Sequence, residues 1–155
     1  MAKTRQINKK ESKQIKSYFK KYNIDLSKYK RFEVVSNKKD ILIADKEIVG
    51  FYIENKIYPS LNIILQKDTN IPCVYLDSGA IPFITKGADL MRPGIKELDD
   101  FEKNTLIILK DFKHKKPLAL GISKFSSEEI KKMKKNKVIK TIHYIGDKIW
   151  NYGNK

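Results

Sequence analysis

The sequence contains a single cysteine, two histidines and no long apolar run. One cysteine, Cys73, cannot form an intramolecular disulfide or a multi-cysteine zinc site, and His114 and His143 are too few for a histidine-rich metal centre. No window approaches the roughly 20 apolar residues of a membrane span, and the first residues lack the apolar segment of a secretory signal. We therefore expect a soluble, cytoplasmic protein with no membrane segment, no metal and no cofactor.

Motifs of common catalytic sites are also missing. The sequence has no serine nucleophile elbow, no phosphate-binding GxxxxGK[ST] loop and no His-Glu-x-x-His pair. Asp99 and Asp100 are adjacent, so they cannot share a helix or strand face for joint acid–base work. Cys73 and His143 lie in apolar β-rich runs, where a buried structural role is more common than catalysis. We predict a protein that is not an enzyme.

Arginine is scarce, whereas lysine is abundant. The 155 residues carry 33 lysines and arginines against 18 acidic residues, a net charge of +15, and only Arg5, Arg31 and Arg92 are arginine. The charge is concentrated in residues 1–21 (+7) and 113–155 (+9), whereas residues 71–112 carry −2. Lysine attracts phosphate as a hydrated point charge, so nucleic acid is the first partner to consider. The alternative, which stays open, is a lysine-rich composition shared by every surface of a thermophilic proteome.

Residues 1–71 predict a small domain with one helix against a sheet. Hydrophobic residues make up 41% of the chain, which is enough for a buried core. Residues 8–22 repeat apolar side chains at helical spacing with lysines around them, which predicts an amphipathic helix. Pro59 stands where it would begin a second, short helix. Three β-rich runs predict an antiparallel sheet: residues 31–36, 40–45 and 48–54.

Residues 72–155 predict a second, β-rich domain with short helices. Residues 81–88 fit one helical turn that ends at Gly87. Ser126, with Glu129 three residues later, forms a capping-box pattern and predicts a helix over residues 127–135. Strand patterns occupy residues 72–77, 105–110, 118–123, 138–145 and 148–152.

The segment from Asp77 to Ile95 concentrates conformationally special residues. It contains two Gly-Ala pairs, Gly79-Ala80 and Gly87-Ala88, followed by Pro93-Gly94. Glycine lets a backbone approach a ligand closely, and exposed backbone amides favour phosphate. This segment is therefore the candidate binding site.

Two cations bracket the second Gly-Ala pair. Lys86 offers a point charge to phosphate, and Arg92 offers a planar fork to a phosphate or a guanine edge. The alternative is that the glycines serve only tight turns and that Arg92 pairs with Asp89 or Glu97. The residues by themselves leave both interpretations open.

Together these motifs resemble the PUA domain, the module named for pseudouridine synthases and archaeosine transglycosylases. The resemblance rests on Asp77-x-Gly79-Ala80, Gly87-Ala88-x-x-Met91-x-Pro93-Gly94-Ile95 and Ala119-Leu120-Gly121. Further segments are similar to the malignant T-cell-amplified sequence proteins and ligatin: Tyr58-Pro59-Ser60-Leu61, Ser127-Glu128-Glu129-Ile130, Ile142-His143-Tyr144, Asp147 and Trp150. Residues 57–152 carry the match, whereas residues 1–56 resemble the family only in layout.

The resemblance implies an α+β protein. Residues 1–71 would form a small N-terminal α/β-sheet domain, and residues 72–155 a PUA-like β pseudobarrel with short helices that binds structured RNA. The eukaryotic relatives act with the small ribosomal subunit in initiation, reinitiation and recycling, beside a density-regulated partner with an initiation-factor-like domain. The short chain looks like a stand-alone archaeal version. Carried over by position, the RNA face includes Gly79, Ala80, Lys86, Gly87, Ala88, Arg92 and Pro93.

Lysines outside the motif would supply long-range attraction to RNA. Tyr144 and Trp150 are expected to close the core rather than stack on bases. The leading hypothesis is a translation protein that contacts tRNA or small-subunit rRNA; the alternatives are an RNA-guiding subunit of a tRNA or rRNA modification enzyme and a protein-interaction scaffold. Four lysines are predicted to steer RNA electrostatically, with a solvated helix face as the alternative for each: Lys131, Lys132, Lys134 and Lys135.

Overall fold

The computed structural model describes residues 3–153 and divides the chain into two compact units. Within the described residues, the first unit comprises residues 3–70 and 148–153, and the second comprises Ile71–Asp147. The sequence-based division assigns every residue after 71 to the second domain. In the structure, by contrast, residues 148–153 pack with the first unit. Among the helices of residues 3–153, none is long and apolar enough to cross a membrane.

The first unit is built on a five-stranded antiparallel sheet whose strands follow in chain order. The three predicted runs are its central strands, and two edge strands join them. Asp45-Lys46 and Glu54-Asn55 form two-residue hairpin turns with φ angles between 45° and 73°, which match the twist of the flanking strands. The strands are β1 (Lys3–Gln6), β2 (Phe32–Asn37), β3 (Lys39–Ala44), β4 (Glu47–Ile53) and β5 (Lys56–Pro59).

Helix α1 (Lys9–Lys20) packs on this sheet. Asn8 caps the helix, its side chain accepting a backbone N–H at 2.8 Å, and Phe19 is fully buried. Gly50 in β4 allows the close approach, since a Cβ there would lie 3.1 Å from the Phe19 ring and 2.7 Å from the Tyr58 carbonyl oxygen. The predicted amphipathic helix is confirmed.

Two sequence-based assignments in this unit are wrong. Pro59 ends β5 instead of beginning a helix, because an edge strand tolerates its missing N–H. Helix α2 (Leu61–Ile64) begins after Ser60. The sequence pattern predicts a strand over residues 148–152, whereas they form helix α5 (Lys148–Gly153), which contacts α2, β3 and β4. A run of five residues is too short to separate the helical from the strand period.

The second unit is a six-stranded mixed sheet that curls into a half-barrel. Its strands are β6 (Cys73–Leu76), β7 (Leu90–Met91), β8 (Ile95–Leu98), β9 (Leu106–Asp111), β10 (Pro117–Ser123) and β11 (Lys137–Tyr144). Their order is β7-β11-β10-β9-β6-β8, with β6 and β9 parallel. Two short helices, α3 (Ile81–Ile84) and α4 (Ser127–Lys132), and a 3₁₀ turn (Arg92–Gly94) accompany the sheet. The expected α+β class with a barrel-like second sheet is confirmed.

The core of the second unit is aliphatic and lies inside the curl of this sheet. Gly121 marks a register shift between β10 and β11, and a Cβ there would overlap the side chain of Ile139. Tyr144 packs against this core, as expected, whereas Trp150 belongs to α5 in the first unit. The buried aliphatic side chains of this core include Val74, Leu76, Ile84, Leu90, Ile107, Leu109, Ile130 and Ile139.

Helix α4 begins at the predicted capping box. The Glu129 N–H donates to the Ser126 hydroxyl at 3.2 Å, and the Ser126 N–H donates to the Glu129 carboxylate at 3.1 Å. The helix ends at Lys132 rather than at residue 135, because Met133 adopts an extended ψ of 152° and packs on the core.

Candidate nucleic-acid interface

Asp77 follows β6 and joins the two glycine-rich parts of the motif. Its backbone N–H donates to the Gly94 carbonyl at 2.8 Å, and its carboxylate accepts the Gly79 N–H at 3.2 Å. Position 94 has to be glycine because a Cβ there would lie 2.9 Å from the Cβ of Ala80. The loop after β6 and the 3₁₀ turn are therefore held side by side.

Helix α3 leads into a left-handed turn at Gly87, whose φ is +95°. The Gly87 N–H donates to the Ile84 carbonyl and the Ala88 N–H to the Phe83 carbonyl, both at 3.0 Å, which is the hydrogen-bond pair of a Schellman motif. A Cβ at position 87 would lie 3.0 Å from the Tyr144 ring. The predicted helical turn that ends at Gly87 is confirmed.

The backbone amides of both Gly-Ala pairs are used inside the protein. Gly79 and Ala80 donate to Asp77, and Gly87 and Ala88 donate to carbonyls of α3. The sequence-based expectation that these amides are exposed to phosphate is therefore wrong. The physical reason is that the tight turns which require glycine also close on their own N–H groups.

An open depression of about 280 Å³ lies at the loop after β6, α3 and the 3₁₀ turn, and we call it the motif depression. Two large apolar side chains at this depression, Phe83 and Met91, remain 65% and 45% exposed. The carboxylates of Asp77 and Asp89 also line it. An apolar surface with hydrogen-bond acceptors suits a nucleobase better than a phosphate. The remaining lining residues are Gly79, Ala80, Ile84, Leu90, Pro93 and Gly94.

Asp89 is held against β11. Its carboxylate accepts the Thr141 N–H at 3.1 Å and lies 3.9 Å from the Lys124 ammonium. The Thr141 hydroxyl donates to the Ala88 carbonyl at 2.8 Å. These contacts fix the position of one acceptor of the motif depression.

Arg92 is half-buried and belongs to the scaffold of the site. Its Nε donates to the Ile130 carbonyl at 2.7 Å, and its backbone N–H donates to the Asn136 carbonyl at 2.9 Å. The carboxylates considered as its partners, Asp89 and Glu97, pair with lysines instead. Arg92 therefore anchors the 3₁₀ turn to α4 and to the loop that follows it.

The motif depression includes only part of the predicted RNA face. The predicted residues that line it are Gly79, Ala80 and Pro93. The predicted residues outside its lining are Lys86, Gly87, Ala88 and Arg92. Sequence reasoning missed the exposed apolar pair and the two carboxylates, because apolar residues in a motif are ordinarily assigned to the core. In the sequence, these four side chains are marked as candidate site residues only by their position inside the motif segment.

A basic segment runs beside Met91. In the pairing of β7 with β11, Met91 lies opposite Lys137, and the loop before β11 holds the exposed Lys134 and Lys135. The same loop contains the carbonyl that accepts the Arg92 N–H, so it is tied to the 3₁₀ turn. The other two lysines predicted to steer RNA, Lys131 and Lys132, are exposed on α4. The Lys131 ammonium lies 3.6 Å from the Asp100 carboxylate.

The other reactive groups considered from the sequence have structural contacts. Cys73 is buried, and burial raises the pKa of its thiol. Asp99 accepts the Cys73 N–H at 2.8 Å. His143 is fully buried in β11, with Nδ1 at 2.7 Å from the Asp147 carboxylate. Within the described part of the chain, no group of three or more His, Cys, Asp or Glu side chains is placed to hold a metal ion.

The family model of the PUA domain matches residues 72–145, which contain the lining of the motif depression and both Gly-Ala pairs. An uncharacterised protein of Methanocaldococcus jannaschii is 34% identical over 146 residues, covering 93% of this chain and 90% of that protein. This chain belongs to the PUA-domain family. PUA domains are RNA-binding, non-catalytic modules, so the expected RNA-binding family is confirmed.

Curated relatives of this PUA-domain protein include proteins of the translation machinery. Translation machinery-associated protein 20 of Saccharomyces cerevisiae is 30% identical over 123 residues, covering 75% of this chain and 68% of that protein. Malignant T-cell-amplified sequence 1 of Rattus norvegicus is 30% identical over 117 residues, covering 72% of this chain and 64% of that protein. The resemblance to the malignant T-cell-amplified sequence proteins is confirmed.

Solved structures share the architecture. A conserved PUA-domain protein from Thermoplasma acidophilum has a TM-score of 0.80 at 28% identity and covers 97% of this chain and 99% of that one. A PUA-domain structure from Aeropyrum pernix K1 has a TM-score of 0.83 at 21% identity, covers 100% of this chain and 92% of that one, and shows the same fold.

Proposed function

We propose that this protein binds the single-stranded end of a structured RNA, either tRNA or small-subunit rRNA, and acts in translation without catalysing a reaction. The motif depression carries this proposal, since it combines exposed apolar side chains, hydrogen-bond acceptors and neighbouring lysines within a PUA domain. In this arrangement a base of the RNA end enters the depression, and the adjoining phosphates contact the lysines.

The lining of the motif depression supports recognition of a base. Phe83 is an exposed aromatic side chain on a rigid turn, and stacking of a base on an aromatic ring contributes about 1–3 kcal/mol. The Asp77 and Asp89 carboxylates accept hydrogen bonds, which matches the exocyclic amino groups of cytosine and adenine. Gly79, Ala80 and Pro93 also line the depression.

The cations around the depression support contacts with phosphate. Residues 71–147 carry 15 lysines and arginines against 10 acidic residues, a net charge of +5. Lys86 is exposed in the turn after α3, and Lys134, Lys135 and Lys137 lie in the basic segment beside Met91. Phosphate contacts position an RNA, whereas contacts with bases select it. Arg92 acts as a positioning residue, because it anchors the 3₁₀ turn.

The names of the relatives support a role in translation. Translation machinery-associated protein 20 is named for its association with that machinery, and it is aligned over 68% of its own length. We place this protein with the small ribosomal subunit and an initiation-factor-like protein as its partners. The recovery of a tRNA- or rRNA-modification enzyme in place of small subunits on purification would favour an RNA-guiding accessory role instead.

Titration with tRNA tests the proposal. Fluorescence anisotropy would measure the Kd of intact tRNA and of tRNA without its single-stranded 3′ end, across a salt series. We expect a clear loss of affinity on removing the end, and a linear fall of log K with log salt concentration. Equal, weak and wholly salt-driven binding of both RNAs would contradict recognition of an RNA end.

Two variants locate the binding site. Phe83 and Leu65 are both exposed apolar side chains, at 65% and 48%, but only Phe83 lines the motif depression. Phe83→Ala is expected to weaken binding by about 5- to 150-fold, the range for the loss of one base–aromatic stack. Leu65→Ala is the matched control and should leave the Kd unchanged. Equal Kd values for the two variants would remove Phe83 from the site.

A further inference from the structure

A second depression adjoins the motif depression. It has a volume of about 260 Å³, and Asp77 lines both depressions. We infer that the second depression is a subsite for a neighbouring nucleotide of the same single RNA strand, with its base against Phe112 and its phosphate near Lys96 and Lys113. This inference rests on the proposed function. The full lining is Leu76, Asp77, Ser78, Ile81, Lys96, Asp111, Phe112 and Lys113.

The hairpin between β9 and β10 gives this subsite a rigid wall. The Asp111 carboxylate accepts the backbone N–H groups of His114 and Lys116, each at 2.8 Å. The Lys115 N–H donates to the Asp111 carbonyl at 2.9 Å, and the Phe112 N–H donates to the Leu76 carbonyl at 3.0 Å. The hairpin is therefore closed on itself and tied to the end of β6, directly before Asp77.

Phe112 is presented on this hairpin as a supported aromatic surface. It is 41% exposed, although it is a large apolar side chain. The Lys115 ammonium lies 4.2 Å from the Phe112 ring centroid and 4.4 Å from the Tyr75 ring centroid. One cation–π contact thus supports the Phe112 ring, and the second holds the same ammonium against Tyr75. A supported ring lowers the entropic cost when a base stacks on it.

The charges at the subsite favour a nucleic-acid strand as its occupant. Residues 110–116 contain four lysines and one aspartate, a net charge of +3. Lys96 and Lys113 belong to the lining together with the Asp77 and Asp111 carboxylates, whereas the described lining of the motif depression contains two carboxylates and no lysine or arginine. An aromatic surface combined with cations matches one base and one phosphate, which is the repeating unit of a single strand. Because they share Asp77, the two depressions can bind consecutive nucleotides of one strand.

Substitutions at Phe112 test the subsite by anisotropy with an RNA that ends in several unpaired nucleotides. We expect Phe112→Leu, which keeps an apolar side chain without the π surface, to weaken binding by about 5- to 150-fold. Phe112→Trp should retain the wild-type Kd, because it preserves stacking. Thermal unfolding of both variants establishes that they are folded, and Leu65→Ala again serves as the control at an exposed apolar side chain that lines neither depression.

Backbone amide NMR shifts distinguish failure of the subsite from failure of the proposed function. We expect titration with the same RNA to shift the amides of α3 and of the β9–β10 hairpin with one common Kd. Shifts at α3 with an unchanged hairpin, together with a wild-type Kd for Phe112→Leu, would overturn the subsite and leave the proposed function standing. An absence of shifts at α3, with an unchanged Kd for Phe83→Ala, would overturn the proposed function and with it the subsite.

Discussion

The backbone of Gly87 lies against the aromatic ring of Tyr144, so that a Cβ at position 87 would come within 3.0 Å of Cε1 of that ring. Gly87 also has a φ of +95°, a conformation that L side chains rarely adopt. This contact joins the turn after α3 to β11, the strand that also holds Asp89 of the motif depression through the Thr141 N–H.

Substitution of Gly87 separates the cost of the backbone angle from the cost of the contact. Gly146 has a similar φ of +98°, but among the described residues other than its chain neighbours no atom lies within 4 Å of a Cβ placed there. We expect Gly146→Ala to lower the free energy of unfolding by about 1–2 kcal/mol, from backbone strain alone. Gly87→Ala should cost more, because the Tyr144 ring also has to move. Urea unfolding measures both, and equal decreases would mean that the Tyr144 contact adds nothing.

Arg92 is expected to affect both stability and binding. Arg92→Ala removes the donor to the Ile130 carbonyl, so the free energy of unfolding should fall by about 1–3 kcal/mol. Because the 3₁₀ turn carries Pro93 at the motif depression, RNA binding should weaken as well. Chemical unfolding and anisotropy measure the two effects. A loss of RNA affinity with wild-type stability would instead indicate that the guanidinium contacts RNA directly.

The four steering lysines should not contribute equally. Lys134→Gln combined with Lys135→Gln is expected to reduce the slope of log K against log salt by about 0.7 for each phosphate of a single strand that no longer binds a lysine. The matched pair, Lys131→Gln with Lys132→Gln, should have a smaller effect because Lys131 already faces the Asp100 carboxylate. Anisotropy at several salt concentrations gives the slopes. A larger change for the α4 pair would place the phosphates along that helix.

Acid should weaken the β9–β10 hairpin through Asp111. Burial by itself would raise the pKa of this carboxyl, but the N–H donors of Lys116 and His114 outweigh it and hold the pKa below its ordinary value. A depressed pKa stabilises the folded state fully above the unfolded-state value of about 3.9, and this stabilisation disappears as the pH falls toward the folded-state pKa. Between about pH 7 and pH 3, urea unfolding should show a steeper decrease in stability for wild type than for Asp111→Asn.

The matched control for this pH dependence is Asp100→Asn. The Asp100 side chain is 94% exposed, so its protonation should change stability little. A pH profile of Asp111→Asn that parallels those of wild type and Asp100→Asn would show that the hairpin carboxylate does not contribute to acid unfolding.

Local sequence patterns were sufficient for the elements whose signals are short-range. The apolar spacing before Tyr22 predicted α1, and Ser126 with Glu129 predicted the start of α4, because helix periodicity and capping act within a few residues. The strand prediction for residues 148–152 failed for the opposite reason. Their identity as helix or strand depends on the surface against which Ile149 is buried, and that surface comes from α2, β3 and β4.

The candidate binding site shows the same division. The turn at Gly87 has a local signal, since glycine adopts its positive φ without strain. The partner of Arg92, by contrast, is a carbonyl 38 positions further along the chain, which no local pattern contains.

The sequence by itself determined the class of this protein: a basic chain, a PUA motif and the glycines that its turns require. Only the tertiary structure decided which groups the candidate site exposes. The folded chain uses the amides of both Gly-Ala pairs internally and leaves Phe83, Met91 and Phe112 exposed. The physical reason is that hydrogen bonding and burial are settled by contacts between distant segments, whereas turn geometry is settled by the residue at the turn.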